Sequence, residues 1–176
     1  TKDLTRIMIN TYNKKYPDHF IIDSKREKIC RAAALHDVGK ISISDTILNK
    51  KGRLTDEEME IMKTHTTKGY EIIKGFKLND DEEQERYSLD IAKYHHERWD
   101  GRGYPEGLKG DEIPLWSQIV GIVDVYDALV SPRVYKKAFS HEKAMEMILA
   151  GECGTFNPIL LECLKDAEEL LKNEYK

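Results

Sequence analysis

Ser24-Lys25-Arg26-Glu27-Lys28-Ile29-Cys30-Arg31-Ala32-Ala33-Ala34-Leu35-His36-Asp37-Val38-Gly39-Lys40 is the stretch on which the fold is decided. Ser24 followed three residues later by Glu27 is a capping-box pattern, in which hydroxyl and carboxylate each satisfy an N–H group that a helix start leaves unpaired. It predicts a helix running to about Val38, with Gly39 placed to end it. Such a helix delivers an adjacent imidazole and carboxylate, His36-Asp37, to its own C-terminal end.

The same helical period continues on both sides. Upstream, Leu4, Ile7, Met8 and Thr11 follow i, i+3, i+4, i+7 spacing, and Pro17-Asp18 closes a helix over Asp3–Tyr16. Downstream, Thr55-x-x-Glu58 is a second capping box, opening a helix with Met59, Met62 and His65 on one side. Asp81–His96 reads as a further helix with Tyr87, Ile91 and Tyr94 on one face, its acidic start Asp80–Glu85 favoured by the helix dipole. Residues 97–114 carry four glycines and two prolines, the clearest loop in the chain. An apolar helix from about Leu115 to Leu129 follows, then one opened by Ser140, and a last one from Asn157-Pro158 to about Lys172. Only Ile41–Ile43 offers a candidate strand. The expected architecture is all-α, one helical bundle spanning 1–176.

Composition narrows the function. With 176 residues, 40% hydrophobic and 34% charged, the chain suits one globular domain with a core of its own. A net charge of −4 argues against binding a nucleic-acid polymer or an anionic membrane, while leaving room for a small phosphorylated ligand. Cys30, Cys153 and Cys163 are odd in number and show no metal-type pairing, which points to a reducing cytoplasm. The most apolar stretch, around Ile119–Val125, falls far short of the roughly 20 residues needed to span a bilayer. The chain starts without Met and inside a predicted helix, so an excised domain with a shortened first helix is expected.

Four points along the chain offer metal ligands: His36-Asp37, His65, His95-His96 and Asp124. Each alone is weak, since His-Asp and His-His dipeptides arise by chance and commonly sit on the surface. Asp124 is more telling. It lies within Ile119-Val120-Gly121-Ile122-Val123-Asp124-Val125, where an unpaired buried charge costs several kcal/mol, so it needs a cationic partner or a metal. Imidazoles with carboxylates and no thiolate suit iron, manganese or zinc. Two such ions are a known route to phosphoester cleavage.

With these residues in view, His36-Asp37-x-Gly39-Lys40 resembles the signature of the HD phosphohydrolase superfamily. The run His95-His96-Glu97-Arg98-Trp99-Asp100-Gly101-Arg102-Gly103-Tyr104-Pro105-Glu106-Gly107-Leu108-Lys109-Gly110 resembles the extended motif of its HD-GYP branch. Met62-Lys63-Thr64-His65, Asp124-Val125-Tyr126-Asp127-Ala128-Leu129 and Ser131-x-Arg133-x-Tyr135-Lys136 extend the likeness from about Cys30 to Leu164.

The resemblance implies an HD-type helical bundle with a Gly/Pro-rich loop. It implies a metal-dependent phosphodiesterase that opens cyclic di-GMP to linear pGpG, GMP or both, by attack of a metal-bridging hydroxide. His36, Asp37, His65, His95, His96 and Asp124 match the family's ligands, with Asp37 as bridge. The family's iron or manganese is the expected metal, with zinc and magnesium as alternatives. Lys40 matches a catalytic lysine on the substrate phosphate. Gly103 and Tyr104 match the loop that helps hold the ligand, and Asp127, Arg133 and Lys136 match residues orienting phosphates and bases.

Relatives often draw a further Glu and His from the first helix, which here contains no His. Two ions are therefore expected rather than three. Val134 stands where many relatives carry Pro. Trp99 and Trp116 are read as packing residues, Trp99 with an alternative place in the pocket wall. The resemblance further implies fusion to, or regulation by, a receiver or sensory module, and leaves homodimerisation open. The competing readings are a catalytically weak cyclic-dinucleotide sensor and an HD hydrolase of another nucleotide. The full ligand set weighs against the first, and the Gly-Tyr-Pro loop with Arg133 and Lys136 against the second.

Overall fold

A computed structural model of the chain describes residues 1–77, 81–133 and 136–176. Its helices are α1 (Lys2–Lys15), α2 (Asp23–Ala33), α3 (Asp45–Leu48), α4 (Asp56–Lys63), α5 (His65–Gly75), α6 (Glu82–Tyr94), α7 (Leu115–Val130), α8 (His141–Leu149), α9 (Pro158–Asp166) and α10 (Glu168–Asn173). Among the described residues there is no strand, only isolated bridges at Asp100–Lys109 and Arg133–Lys136. The all-α expectation holds.

The bundle is built around α7. Ile119, Val120, Ile122, Val123 and Tyr126 are each 1% exposed or less, so α7 is covered on nearly every side. Leu4, Met8, Ile9 and Tyr12 of α1, Tyr87 and Ile91 of α6, and Leu160 and Leu164 of α9 complete the same core. Each fully buried Leu or Ile contributes about 1.5–3 kcal/mol, so this contiguous core is the main source of stability. Asp124 therefore projects from the most deeply packed helix of the molecule.

Several boundaries differ from the sequence expectation. The Ser24–Glu27 box does not form, and the residue ahead of α2 is Ile22, without a side-chain cap. The Glu27 carboxylate goes elsewhere, accepting from Arg6 Nε at 3.2 Å and Nη2 at 3.0 Å and tying α2 to α1. The Thr55 box does form, with Glu58 N donating to Thr55 Oγ1 at 3.1 Å and Thr55 N to Glu58 Oε2 at 2.8 Å. The helix it opens stops at Lys63, and His65 begins a new one. Asp81 caps α6, accepting from Glu83 N and Gln84 N. The last helix breaks at Ala167, which leaves Glu168 facing His141 at 3.4 Å.

The main correction concerns the decisive stretch itself. α2 ends at Ala33, and residues 34–37 turn tightly into a 3-10 segment, Val38–Ser42. Ile41–Ile43 is thus no strand; Ile41 is 77% exposed. The cause is tertiary. A Cβ on Gly39 would lie 1.8 Å from the His65 carbonyl oxygen and 2.5 Å from Gly69 N, so this backbone is pressed against α5. A short apolar run carries no period of its own, and this contact decides its shape. Val134, Tyr135 and Asp80 lie outside the described residues.

Candidate metal centre

The candidate ligands come from helix ends and from α7. His36 and Asp37 lie in the turn after α2, His65 is the first residue of α5, and His95 and His96 follow α6. Each of three imidazoles is fixed by a carbonyl one turn back. His36 Nδ1 lies 2.7 Å from Ala33 O, His65 Nδ1 2.7 Å from Met62 O, and His95 Nδ1 2.8 Å from Ile91 O. A carbonyl only accepts, so Nδ1 carries a proton and each Nε2 is the atom left to serve as a ligand.

Those Nε2 atoms converge. His65 Nε2 lies 3.3 Å and His95 Nε2 3.6 Å from Asp37 Oδ1. His36 Nε2 lies 3.3 Å from Asp37 Oδ2 and 3.2 Å from Asp124 Oδ1. Donor atoms of Asp37, His65, His95 and His96 all fall within 4.8 Å of one another, as do those of His36, His95 and Asp124. The six residues expected as ligands are thus brought into one cluster, in two overlapping groups that share His95.

Electrostatics defines what the cluster lacks. Burial pushes the Asp37 carboxyl up, but the facing imidazoles of His36, His65 and His95 outweigh it and hold it far below the usual range. Burial likewise raises Asp124, and His36 overrides it downward. Burial pushes His95 and His96 down, keeping both rings neutral. Burial also lowers His36, yet Asp124 and Asp37 pull it up to about 10. Two carboxylates are thus held ionised side by side, and they make His36 Nε2 a strongly basic donor facing them.

Asp37 Oδ1, His65 Nε2 and His95 Nε2 are buried and have no hydrogen-bond partner. Such orphans are rare in folded proteins, and three meeting at one point call for a cation. The three cysteines lie elsewhere, so the donor set is purely nitrogen and oxygen. These residues fit divalent metal ions of the first transition row.

Around the cluster, the remaining candidates divide. Lys40 Nζ pairs with Asp37 Oδ2 at 2.7 Å. Lys40, His96, Asp124, Arg133 and Lys136 line one cleft of about 280 Å³. Arg133 and Lys136 exchange backbone hydrogen bonds of 3.0 Å, which hold the two residues side by side. Asp127 is not among the cleft's lining residues. Its carboxylate accepts from Ser131 Oγ at 3.0 Å, from Thr1 Oγ1 at 2.8 Å and from the Tyr175 hydroxyl.

The glycine-rich loop covers another side. A Cβ on Gly103 would lie 2.4 Å from both His96 O and Arg98 N, so only glycine allows this approach. Tyr104 stacks on His96 with ring centres 4.8 Å apart and planes 16° apart. Trp116 packs on Tyr87 and donates to Asp90, as a packing residue should. Sequence reasoning assigned nothing to Glu97 or Arg98. Glu97 is buried and accepts from two loop amides, and the half-buried Arg98 donates to the carbonyls of His95 and Glu97. A carboxylate beside a loop full of amides was the available signal for Glu97.

Residues 4–156 match the HD domain family. The chain belongs to that family. Within it, this HD-GYP domain is 43% identical over 152 residues to a cyclic di-GMP phosphodiesterase of Vibrio cholerae, covering 81% of this chain and 29% of that protein. It is 44% identical over 136 residues to the cyclic di-GMP phosphodiesterase response regulator RpfG of Xanthomonas campestris, covering 76% and 34%. It is 40% identical over 144 residues to a 3′3′-cGAMP-specific phosphodiesterase of Vibrio cholerae, covering 82% and 27%. The chain spans roughly a third of the length of these relatives. In fold it matches Bd1817, an HDG"Y"P protein from Bdellovibrio bacteriovorus, with a TM-score of 0.68, 19% identity, and coverage of 97% of this chain and 51% of that one. The HD family is metal-dependent, in keeping with the donor set found here. Among the described residues, no helix is long and apolar enough to cross a membrane.

Proposed function

We propose that this domain is a metal-dependent phosphodiesterase that opens cyclic di-GMP to linear pGpG, GMP or both. One observation carries the reading: partnerless Asp37 Oδ1, His65 Nε2 and His95 Nε2 meet beside a cleft lined by Lys40, Arg133 and Lys136. A cation-hungry floor under a cationic rim suits a substrate whose reacting group is a phosphodiester and whose second phosphate needs its own partner. The names of the relatives supply the cyclic dinucleotide.

His36, Asp37, His65, His95, His96 and Asp124 are the residues that hold two divalent ions, iron or manganese before zinc or magnesium. When bound, such a pair supplies Lewis-acid polarisation of the phosphoryl group and a nucleophile derived from water. The chain supplies the rest. The carbonyls of Ala33, Met62 and Ile91 lock three imidazoles in the ligating tautomer. Lys40, poised on Asp37, meets the scissile phosphate and is assigned, with Asp37, a direct part in catalysis. Arg133 offers a planar fork to the other phosphate or to a guanine edge, with Lys136 beside it. Asp127 braces this segment through Ser131. Gly103 and Tyr104 wall the opposite side and restrict water. We further assign the domain to the cytoplasm, as an output module of a longer chain under a receiver or sensory input, as the name of RpfG suggests.

The test is a side-by-side measurement of kcat/KM on cyclic di-GMP, 3′3′-cGAMP and ppGpp after metal reconstitution. Selective hydrolysis of the cyclic dinucleotides supports the reading. Turnover of ppGpp alone, or of none of the three by protein carrying its metal, overturns it.

A further inference from the structure

Glu97 follows the ligand pair directly and is 5% exposed. Its two carboxylate oxygens are spent on the loop: Glu106 N donates to Oε1 at 2.7 Å and Leu108 N donates to Oε2 at 2.9 Å. A buried carboxylate is costly unless hydrogen-bonded, and bonds from amides to an ionised acceptor are among the strong ones. These two amides lie just behind Tyr104-Pro105, so the grip falls where it fixes the tyrosine.

The loop is tied to the ligand segment at further points. Tyr104 N donates to His96 O at 3.3 Å, and the Tyr104 ring lies flat on His96. Gly103 packs on the His96 carbonyl oxygen and the Glu97 Cα. On the outer side, Glu106 pairs with Lys93 Nζ of α6 at 2.6 Å. Tyr94, just before the ligand pair, also reaches the Glu106 side chain at 3.5 Å, but of these ties Glu97 is the one that takes backbone amides in the far half of the loop.

We infer that Glu97 is a positioning residue, which holds the Gly-Tyr-Pro loop in register with His95-His96 and so sets how the domain grips a cyclic dinucleotide beyond its reacting phosphate. This rests on the phosphodiesterase reading. Glu97 has both carboxylate oxygens engaged by loop amides, so its action is through the loop. A residue that merely stabilised the fold would lower activity on every substrate alike. A loop-positioning residue discriminates between a ligand that spans the loop and one that does not.

The experiment compares wild type, Glu97→Gln and Glu97→Ala. Gln keeps the shape but presents an N–H donor where one amide needs an acceptor, so it secures the test if Ala does not fold. Hydrogen exchange at the Glu106 and Leu108 amides should accelerate roughly tenfold or more at both in the Ala variant and at one or both in the Gln variant, because Ala removes both acceptors and Gln removes one. Bound metal should remain at the wild-type number of equivalents. The ratio of kcat/KM for cyclic di-GMP to that for bis(p-nitrophenyl) phosphate should fall roughly tenfold, mainly through KM. Unchanged amide exchange, or equal losses on both substrates together with lost metal, overturns the inference. If wild type cleaves no cyclic dinucleotide, the proposed function falls instead, and the exchange measurement still decides whether Glu97 holds the loop.

Discussion

The ligand cluster and the cationic rim beside it are built on opposite principles. The cluster is buried, each of three imidazoles is pinned by a backbone carbonyl, and its inner atoms have no partner within the protein. The rim is exposed at Arg133 and Lys136, and its cations make alternative contacts: Lys40 with Asp37, and Lys136 over the Phe139 ring at 4.8 Å. Backbone contacts fix the first, whereas the second rests on exposed side chains with contacts of their own. On the proposed function, chemistry that tolerates no displacement falls on helix ends and α7, and recognition on side chains able to adjust.

The largest effect should come from the cluster. Asp37→Ala removes the carboxylate that faces three imidazoles, and kcat should fall roughly a thousandfold or more, since metal assistance is worth several kcal/mol. Bound metal measured by elemental analysis should drop with it. A mutant retaining full metal and activity would remove Asp37 from the centre.

Gly39→Ala tests whether the cluster is held by backbone contact. The new Cβ meets the His65 carbonyl oxygen and Gly69 N, both main-chain atoms unable to step aside. Stability should fall by about 3 kcal/mol in denaturant titration, with weaker metal binding, as overpacking against rigid backbone does. An unchanged midpoint would show that the turn floats freely of α5.

The rim should respond more gently. Arg133→Ala and Lys136→Ala should each raise KM for cyclic di-GMP roughly tenfold, with metal content unchanged, as loss of a charge-assisted contact does. The KM of wild type should also rise with salt more steeply than that of either mutant. Loss of metal in either mutant would merge the two regions.

Thr55→Ala should leave both regions alone. It removes a cap that is remote from the cleft, costing about 1 kcal/mol of stability with no change in kcat or KM.

Most of the cluster was legible because its residue types are expensive elsewhere. Asp124 in an apolar helix demanded a partner, and the His-Asp and His-His pairs supplied it. The all-α class was legible from periodicity, and the Thr55 and Ser140 caps from their own chemistry. The illegible parts were set by partners distant in sequence. Arg6 drew Glu27 out of the Ser24 box, and Gly39 meeting α5 ended α2 early. Glu97 looked like any loop carboxylate until its two amide donors were placed. Asp127 shares a helix with Asp124, yet its carboxylate is taken up by Ser131, Thr1 and Tyr175, which a period along one helix cannot reveal.

The most direct test is to incubate anaerobically metal-reconstituted protein with cyclic di-GMP, resolve the products by chromatography, and run Asp37→Ala in parallel. Linear pGpG or GMP from the wild type and none from the variant is the predicted result. A wild-type protein that carries its metal and leaves cyclic di-GMP intact would contradict the account.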